Sequence, residues 1–288
     1  MEKNFVFLLG TQKSGTTFTT RLIQNHPQVW CGGIKEMRFW NSFFKEEKWK
    51  TNFIKNNESR KNKKWKIRSE NLKEDSFLTY FSRYSKSKES NIIKCAADMT
   101  PSNGRLSEKQ LKIAYEAILN NGYKIKPIYL MRDPIERLWS QTKMKYFNKF
   151  LNKKQKKQNK LDKNKLFDLF TSLSKDDFED KVTGRTRYDL ILPKIEKVFN
   201  QEKIFYYFSE NMRDEIFKSE LFNFLEIDYS LPKNKVVGNP SDISISSNEI
   251  PKKYLKEVYD RFKPVYLYVH NKFKEKTPKI WINRINEF

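Results

Sequence analysis

Apolar positions fall into two spacings near the start of this chain. Phe5-Val6-Phe7-Leu8-Leu9 is a continuous apolar run, the composition of a buried strand. It gives way to Gly10-Thr11-Gln12-Lys13-Ser14-Gly15-Thr16-Thr17, which is small, polar and punctuated by glycine. That segment leads straight into Phe18, Leu22 and Ile23, an apolar stripe at helical spacing. The helix should end near Asn25-His26-Pro27.

The same two patterns alternate further along. Gln28-Val29-Trp30 reads as a short strand, and residues 41 to 91 as polar, lysine-rich helical surface structure with scattered aromatic anchors. Asn91 to Ala97 is a second buried-strand candidate, ending at Asp98-Met99-Thr100-Pro101. Ser107 with Gln110 predicts a capping box, with Leu111, Ala114, Ile118 and Leu119 as the apolar face and Gly122 closing the helix. Lys124 to Met131 reads as a strand, Leu166 to Leu173 and Tyr188 to Phe199 as helices, and Lys203 to Phe208 as the last core strand. Pro193 either kinks its helix or marks the true start. Ser209 is expected to cap a helix through Leu225, and a final helix is expected from about Pro251 to Phe262.

Strands alternating with helices predict a three-layer α/β fold, a central parallel sheet flanked by helices. Ligands of such sheets bind outside the carboxyl ends of the strands. With no repeat and no Gly/Ser linker, residues 1–288 read as a single domain. Residues 145 to 165, nearly all basic or amide, read as a lysine-rich insertion that is solvated or, alternatively, touches a polyanion.

Composition narrows the class. Hydrophobic residues are 38% and aromatics 15%, enough for a globular core. No apolar run reaches about 18 residues, so no transmembrane helix is expected. Because the first strand begins within a few residues of the start, no signal peptide is expected. Two cysteines, Cys31 and Cys95, make neither a disulfide framework nor a metal site, and a cytoplasmic setting is the simplest reading. The net charge of +23 combines scattered lysine with a field that would concentrate anionic ligands.

Strand, glycine loop and helix form the layout in which backbone N–H groups and a helix N-terminus hold phosphate. Against the nucleotide-triphosphate loop G-x-x-x-x-G-K-[ST], Gly10, Gly15 and Thr17 fit, but position 16 is threonine. The loop's lysine is Lys13, where it would meet the first phosphate. A second stretch adds an anion fork. Tyr129-Leu130-Met131-Arg132-Asp133-Pro134-Ile135-Glu136 predicts a strand ending at Arg132, Asp133 as N-cap, Pro134 in the first turn and Glu136 completing a capping box. Arg132 would then stand rigidly at a strand end, with the Ser140 hydroxyl two turns into the helix facing the same space.

Lys13-Ser14-Gly15-Thr16-Thr17 resembles the 5′-phosphosulfate loop of sulfotransferases that use 3′-phosphoadenosine-5′-phosphosulfate (PAPS). Arg132 and Ser140, eight positions apart, resemble the 3′-phosphate motif of the same family. Lys35-Glu36-Met37-Arg38-Phe39-Trp40 is similar to the K-E-x-x-F-F segment of its carbohydrate, heparan-sulfate-type branch, which implies Glu36 as catalytic base. Asp98-Met99-Thr100-Pro101 resembles an acidic-x-[ST]-Pro turn of the acceptor cleft, with Met99 where some relatives carry lysine. Gly184 and Tyr188 resemble a G-x-x-x-Y placement whose tyrosine approaches the adenine.

The resemblance implies transfer of a sulfuryl group from PAPS to a hydroxyl or amine of a glycan or small-molecule acceptor, leaving adenosine 3′,5′-bisphosphate. A sulfuryl group carries less charge than a γ-phosphoryl, so no metal is expected. Lys13 would neutralise the leaving oxygen. Glu36 is the preferred base and Asp98 the second choice, while His26 and His270 read as structural. Two alternatives stand beside this reading. A nucleotide kinase would need magnesium and a lysine at position 16. A nucleic-acid-binding protein would use the basic surface but leaves Arg132 and Ser140 unexplained, so nucleic acid is not the expected partner.

Overall fold

The structure, a computed structural model, describes residues 2–58, 60–73, 77–150, 161–179, 184–230 and 244–288. Five strands are present among them: β1 (Lys3–Gly10), β2 (Val29–Trp30), β3 (Cys95–Asp98), β4 (Tyr123–Met131) and β5 (Phe205–Phe208). The helices are α1 (Thr16–Gln24), α2 (Phe39–Phe43), α3 (Glu47–Glu58), α4 (Lys63–Glu70), α5 (Leu78–Ser82), α6 (Ser85–Glu89) and α7 (Glu108–Asn120). They continue as α8 (Pro134–Phe150), α9 (Lys163–Glu179), α10 (Tyr188–Phe199), α11 (Glu215–Leu225), α12 (Lys252–Phe273) and α13 (Lys279–Glu287).

The strands are all parallel, in the order β2-β3-β1-β4-β5. β1 is central, and its alternating side chains split the core in two. Phe5, Phe7 and Leu9 join Leu111, Ala114 and Ile118 of α7 and Val258, Phe262 and Val265 of α12 on one face. Val6 and Leu8 join Leu22 and Ile23 of α1 and Phe217, Leu221 and Leu225 of α11 on the other. That is the expected three-layer α/β arrangement. The chain leaves β1 toward β3 and leaves β4 toward β5, so the crevice of the sheet opens between the carboxyl ends of β1 and β4.

Several elements depart from the sequence reading. The described residues between 41 and 91 are largely helical, but Tyr80 and Phe81 are buried core residues, as is Tyr84, rather than parts of a surface. α10 has the expected bounds, Tyr188 to Phe199, with Pro193 inside the helix rather than at its start. α11 starts from Asp214 because Ser209–Asn211 forms a separate 3₁₀ turn. The last expected helix does not stop at Phe262. It passes Pro264 and continues to Phe273, because Val265, Tyr266 and Val269 extend its buried stripe. Residues 145–150 of the lysine-rich stretch are the end of α8, α9 begins at Lys163, and positions 151–160 lie outside the described residues. Both cysteines are free and buried. No described helix is long and apolar enough to cross a membrane.

Candidate active site

The glycine loop is tied into the sheet at its start. The Thr11 amide donates to the Leu130 carbonyl of β4 at 2.8 Å, and the Ser14 amide turns back to the Thr11 carbonyl at 3.3 Å. Lys13 (φ 73°) and Gly15 (φ 76°) are left-handed, a backbone alternation that turns amides toward one concave side. Lysine is an uncommon occupant of that region, so the surrounding contacts must hold it there. Gly15 has a further reason to be glycine, since a Cβ would lie 2.3 Å from the Met212 sulfur. α1 starts from Gly15 with no side-chain cap, which leaves its first-turn amides for a ligand. Ser14 is fully buried. Its Oγ lies beside the Tyr188 hydroxyl but makes no hydrogen bond among the described residues.

Arg132 leaves β4 directly opposite this loop. Its Nη1 donates to the Lys13 carbonyl at 3.2 Å, and Nη2 reaches Glu136 at 3.4 Å. The side chain is 31% exposed, so part of the fork is left open to a ligand. Tyr188 is buried, and its hydroxyl donates to the Arg132 carbonyl at 3.0 Å while lying 3.4 Å from the Arg132 amide. Its ring packs on Tyr129 and Trp281. The tyrosine read from sequence as an adenine neighbour therefore braces the backbone of Arg132. Ser140 is half-buried two turns into α8.

Asp133 caps α8, its Oδ1 accepting from the Glu136 amide at 2.9 Å. The reciprocal arm of the expected capping box is not made. Glu136 turns instead to Arg132 and Ser247, and the Asp133 amide donates to Glu210 Oε1 at 2.7 Å. Burial, with the Glu210 and Glu136 charges, raises the Asp133 carboxyl to about 7. The Tyr266 hydroxyl donates to its other oxygen at 2.8 Å.

The third arm comes from residues 35–40. Lys35 Nζ donates to the Thr17 hydroxyl at 2.9 Å, so this segment touches the first turn of α1. Burial lowers the Lys35 ammonium, with the Glu36 charge opposing. Glu36 Oε2 accepts from Arg38 Nε and Nη2 at 3.0 and 2.9 Å, and its carboxylate is 16% exposed. Arg68 of α4 holds the Glu36 carbonyl at 2.6 Å. Asp98, the second candidate base, is 1% exposed. It accepts from the Tyr80 hydroxyl at 2.9 Å and the Thr100 hydroxyl at 2.5 Å, and burial raises its carboxyl. It is sealed from any acceptor and serves to hold the turn after β3. His26 likewise anchors, with Nε2 2.9 Å from the Asp228 carbonyl.

Residues 6–168 match the model of the Sulfotransferase family. The chain belongs to that family. As a sulfotransferase it transfers sulfuryl groups. The fold is similar to that of the sulfotransferase from Alicyclobacillus acidocaldarius, with a TM-score of 0.57 at 13% identity over 98% of this chain and 99% of that one. The sulfotransferase domain of the Synechococcus PCC 7002 olefin synthase aligns over 90% of this chain and 93% of that one at 11% identity, with a TM-score of 0.48. No curated protein matches the sequence.

Sequence reasoning missed several residues around this sulfotransferase crevice. Glu210, Arg105, Arg185 and Lys194 carry no local pattern. Ser247 does, because Ser246 and Glu249 form a capping box that can be read directly.

Proposed function

We propose that this sulfotransferase takes its sulfuryl group from PAPS and delivers it to a hydroxyl, or an amine, of a carbohydrate-like acceptor. The observation that carries the reading is the hydrogen bond from Arg132 to the Lys13 carbonyl. It brings the glycine loop and the Arg132 strand end together across the sheet crevice, which supports reading them as one nucleotide site. The residues suit such a nucleotide: uncapped amides at the α1 N-terminus, the buried Ser14 hydroxyl lacking a hydrogen bond, and a partly open arginine fork.

Bound PAPS would supply an activated sulfuryl group on a phosphate leaving group. The chain's own residues then divide the work. Ser14, Gly15, Thr16 and Thr17 would cradle the 5′ end, and Lys13 would offset the charge that grows on the leaving oxygen. Arg132 and Ser140 would hold the 3′-phosphate, with Tyr188 fixing the backbone of Arg132. Glu36 would accept the acceptor's proton, oriented by Arg38. The enclosure of Asp98 favours Glu36 in that role. No metal enters this scheme.

Equilibrium binding of adenosine 3′,5′-bisphosphate, ATP and single-stranded DNA, each with and without EDTA, tests the reading. The bisphosphate should bind tightest and be indifferent to EDTA. Preference for ATP with magnesium would select the kinase alternative, and preference for DNA the nucleic-acid one.

A further inference from the structure

A second basic site lies beside the loop, on a different face of α8. Ser140 and Gln141 are consecutive and so point about 100° apart around the helix. On the Gln141 side is a cavity of about 140 Å³ lined by Arg105, Gln141, Lys145, Asp176, Asp177 and Arg185. Its wall is bonded to the phosphate loop, because the Thr11 hydroxyl donates to the Arg185 carbonyl at 3.1 Å.

Among the described residues, the charges there are not balanced. Asp177 is committed elsewhere: Oδ2 takes Arg137 Nη2 at 2.6 Å and the Thr186 hydroxyl, and Oδ1 takes the Arg185 amide at 2.9 Å. That leaves exposed Asp176 as the one further carboxylate among the lining residues, facing Arg105, Arg185 and Lys145. Arg105 Nε is buried and has no hydrogen-bond partner among the described residues, a costly state for a guanidinium donor. Burial, then the Arg105 and Arg137 charges, lowers Arg185 to about 10. Lys194 donates to the Gly104 carbonyl at 2.8 Å, and burial with the Arg105 charge lowers it to about 8. Arg38, the partner of Glu36, also acts on Arg185, so the cavity and the Glu36 arm share one neighbourhood.

We infer that Arg105, Arg185 and Lys145 form an acceptor subsite for an oxyanion, so that the preferred acceptor is an acidic one carrying a carboxylate, sulfate or phosphate besides the group to be sulfated. This rests on the sulfuryl-transfer reading from PAPS given above. An oxyanion in the cavity would offset the repulsion between the neighbouring cations. The Thr11 bond fixes the subsite relative to the loop, so an acceptor held by its anion is also held in register with the transferring group.

The test is calorimetric titration of the protein saturated with adenosine 3′,5′-bisphosphate, using glucose, glucuronate, glucose 6-phosphate and inorganic sulfate as probes. Glucuronate or glucose 6-phosphate should bind at least about tenfold more tightly than glucose. Arg105→Gln and Arg185→Gln should abolish that preference while the bisphosphate affinity stays within about twofold. Arg105→Lys and Arg185→Lys keep the charge and should retain most of it. The proposal is overturned if both acidic sugars bind no better than glucose, or if both glutamine variants keep the preference. It also fails if inorganic sulfate binds as tightly as the acidic sugars, which would make the cavity a free-anion site. Loss of bisphosphate binding in the glutamine variants would assign the cavity to the nucleotide. A wild-type protein that does not bind the bisphosphate at all would sink the PAPS reading itself, a distinct result.

Discussion

Arg132 is where one residue's position decides most. Its guanidinium bridges to Lys13, its backbone is held by Tyr188, and part of its fork is left open to a ligand. Truncation to alanine leaves a bound phosphate without its fork, so Arg132→Ala should weaken adenosine 3′,5′-bisphosphate binding by about 2–4 kcal/mol, read by calorimetry. Glu36→Gln keeps the shape of the side chain and removes the base. Nucleotide binding should persist while turnover of a working acceptor falls about 10²–10⁴-fold. Unchanged turnover would move proton transfer outside this arm. The place of Arg132 was legible because it directly follows β4, whereas Glu36 was named only through the resemblance of residues 35–40 to a family segment. Arg105, Arg185 and Glu210 were not legible. They matter through partners from distant segments, as when Glu210 takes the Asp133 amide across 77 positions.

At the scale of elements, the N-terminus of α8 shows how a local motif is rewritten by its surroundings. The Asp133 cap forms as the sequence predicts, but the turn after β5 supplies the carboxylate that Glu136 was expected to provide. The result is a buried acid whose folded pKa, about 7, is raised above the ordinary carboxylate value. The native state therefore holds the Asp133 proton more tightly than the unfolded chain does. Its stabilising contribution is complete below the unfolded pKa of about 4 and is lost as pH rises to about 7. Asp133→Asn keeps a good N-cap without the ionisation. Its melting temperature relative to wild type should climb between pH 4 and 7 and level off above that, and a pH-independent difference would contradict the assignment. Helix ends elsewhere obeyed tertiary packing over local punctuation, as α12 did in passing Pro264.

The whole molecule is strongly positive, and the proposed nucleotide site lies at the carboxyl ends of its inner strands β1 and β4. A net charge of +23 should draw a nucleotide of several negative charges faster than diffusion alone. Stopped-flow association of the bisphosphate should slow steeply as salt rises from about 0.05 to 0.5 M, because the Debye length shrinks over that range. The three-layer architecture itself was legible, since alternating strand and helix patterns leave few ways to bury β1. Strand order was not, because nothing local tells β1 that β3 and β4 are its neighbours.

That order also shapes how the molecule must be made. β1 leaves the ribosome before either strand that flanks it, and β4 is complete only at Met131. The Asn4 side chain waits longer still, for a carbonyl at Leu225 that is 221 positions away. Translation at about 5–20 residues per second puts on the order of ten seconds between the emergence of β1 and that of β4. Until β3 and then β4 have followed, Phe5 to Leu9 is an uncharged apolar segment lacking one or both of its partners, open to pairing with other nascent chains. The strand that organises the finished sheet is thus the segment most in need of a holding chaperone during synthesis.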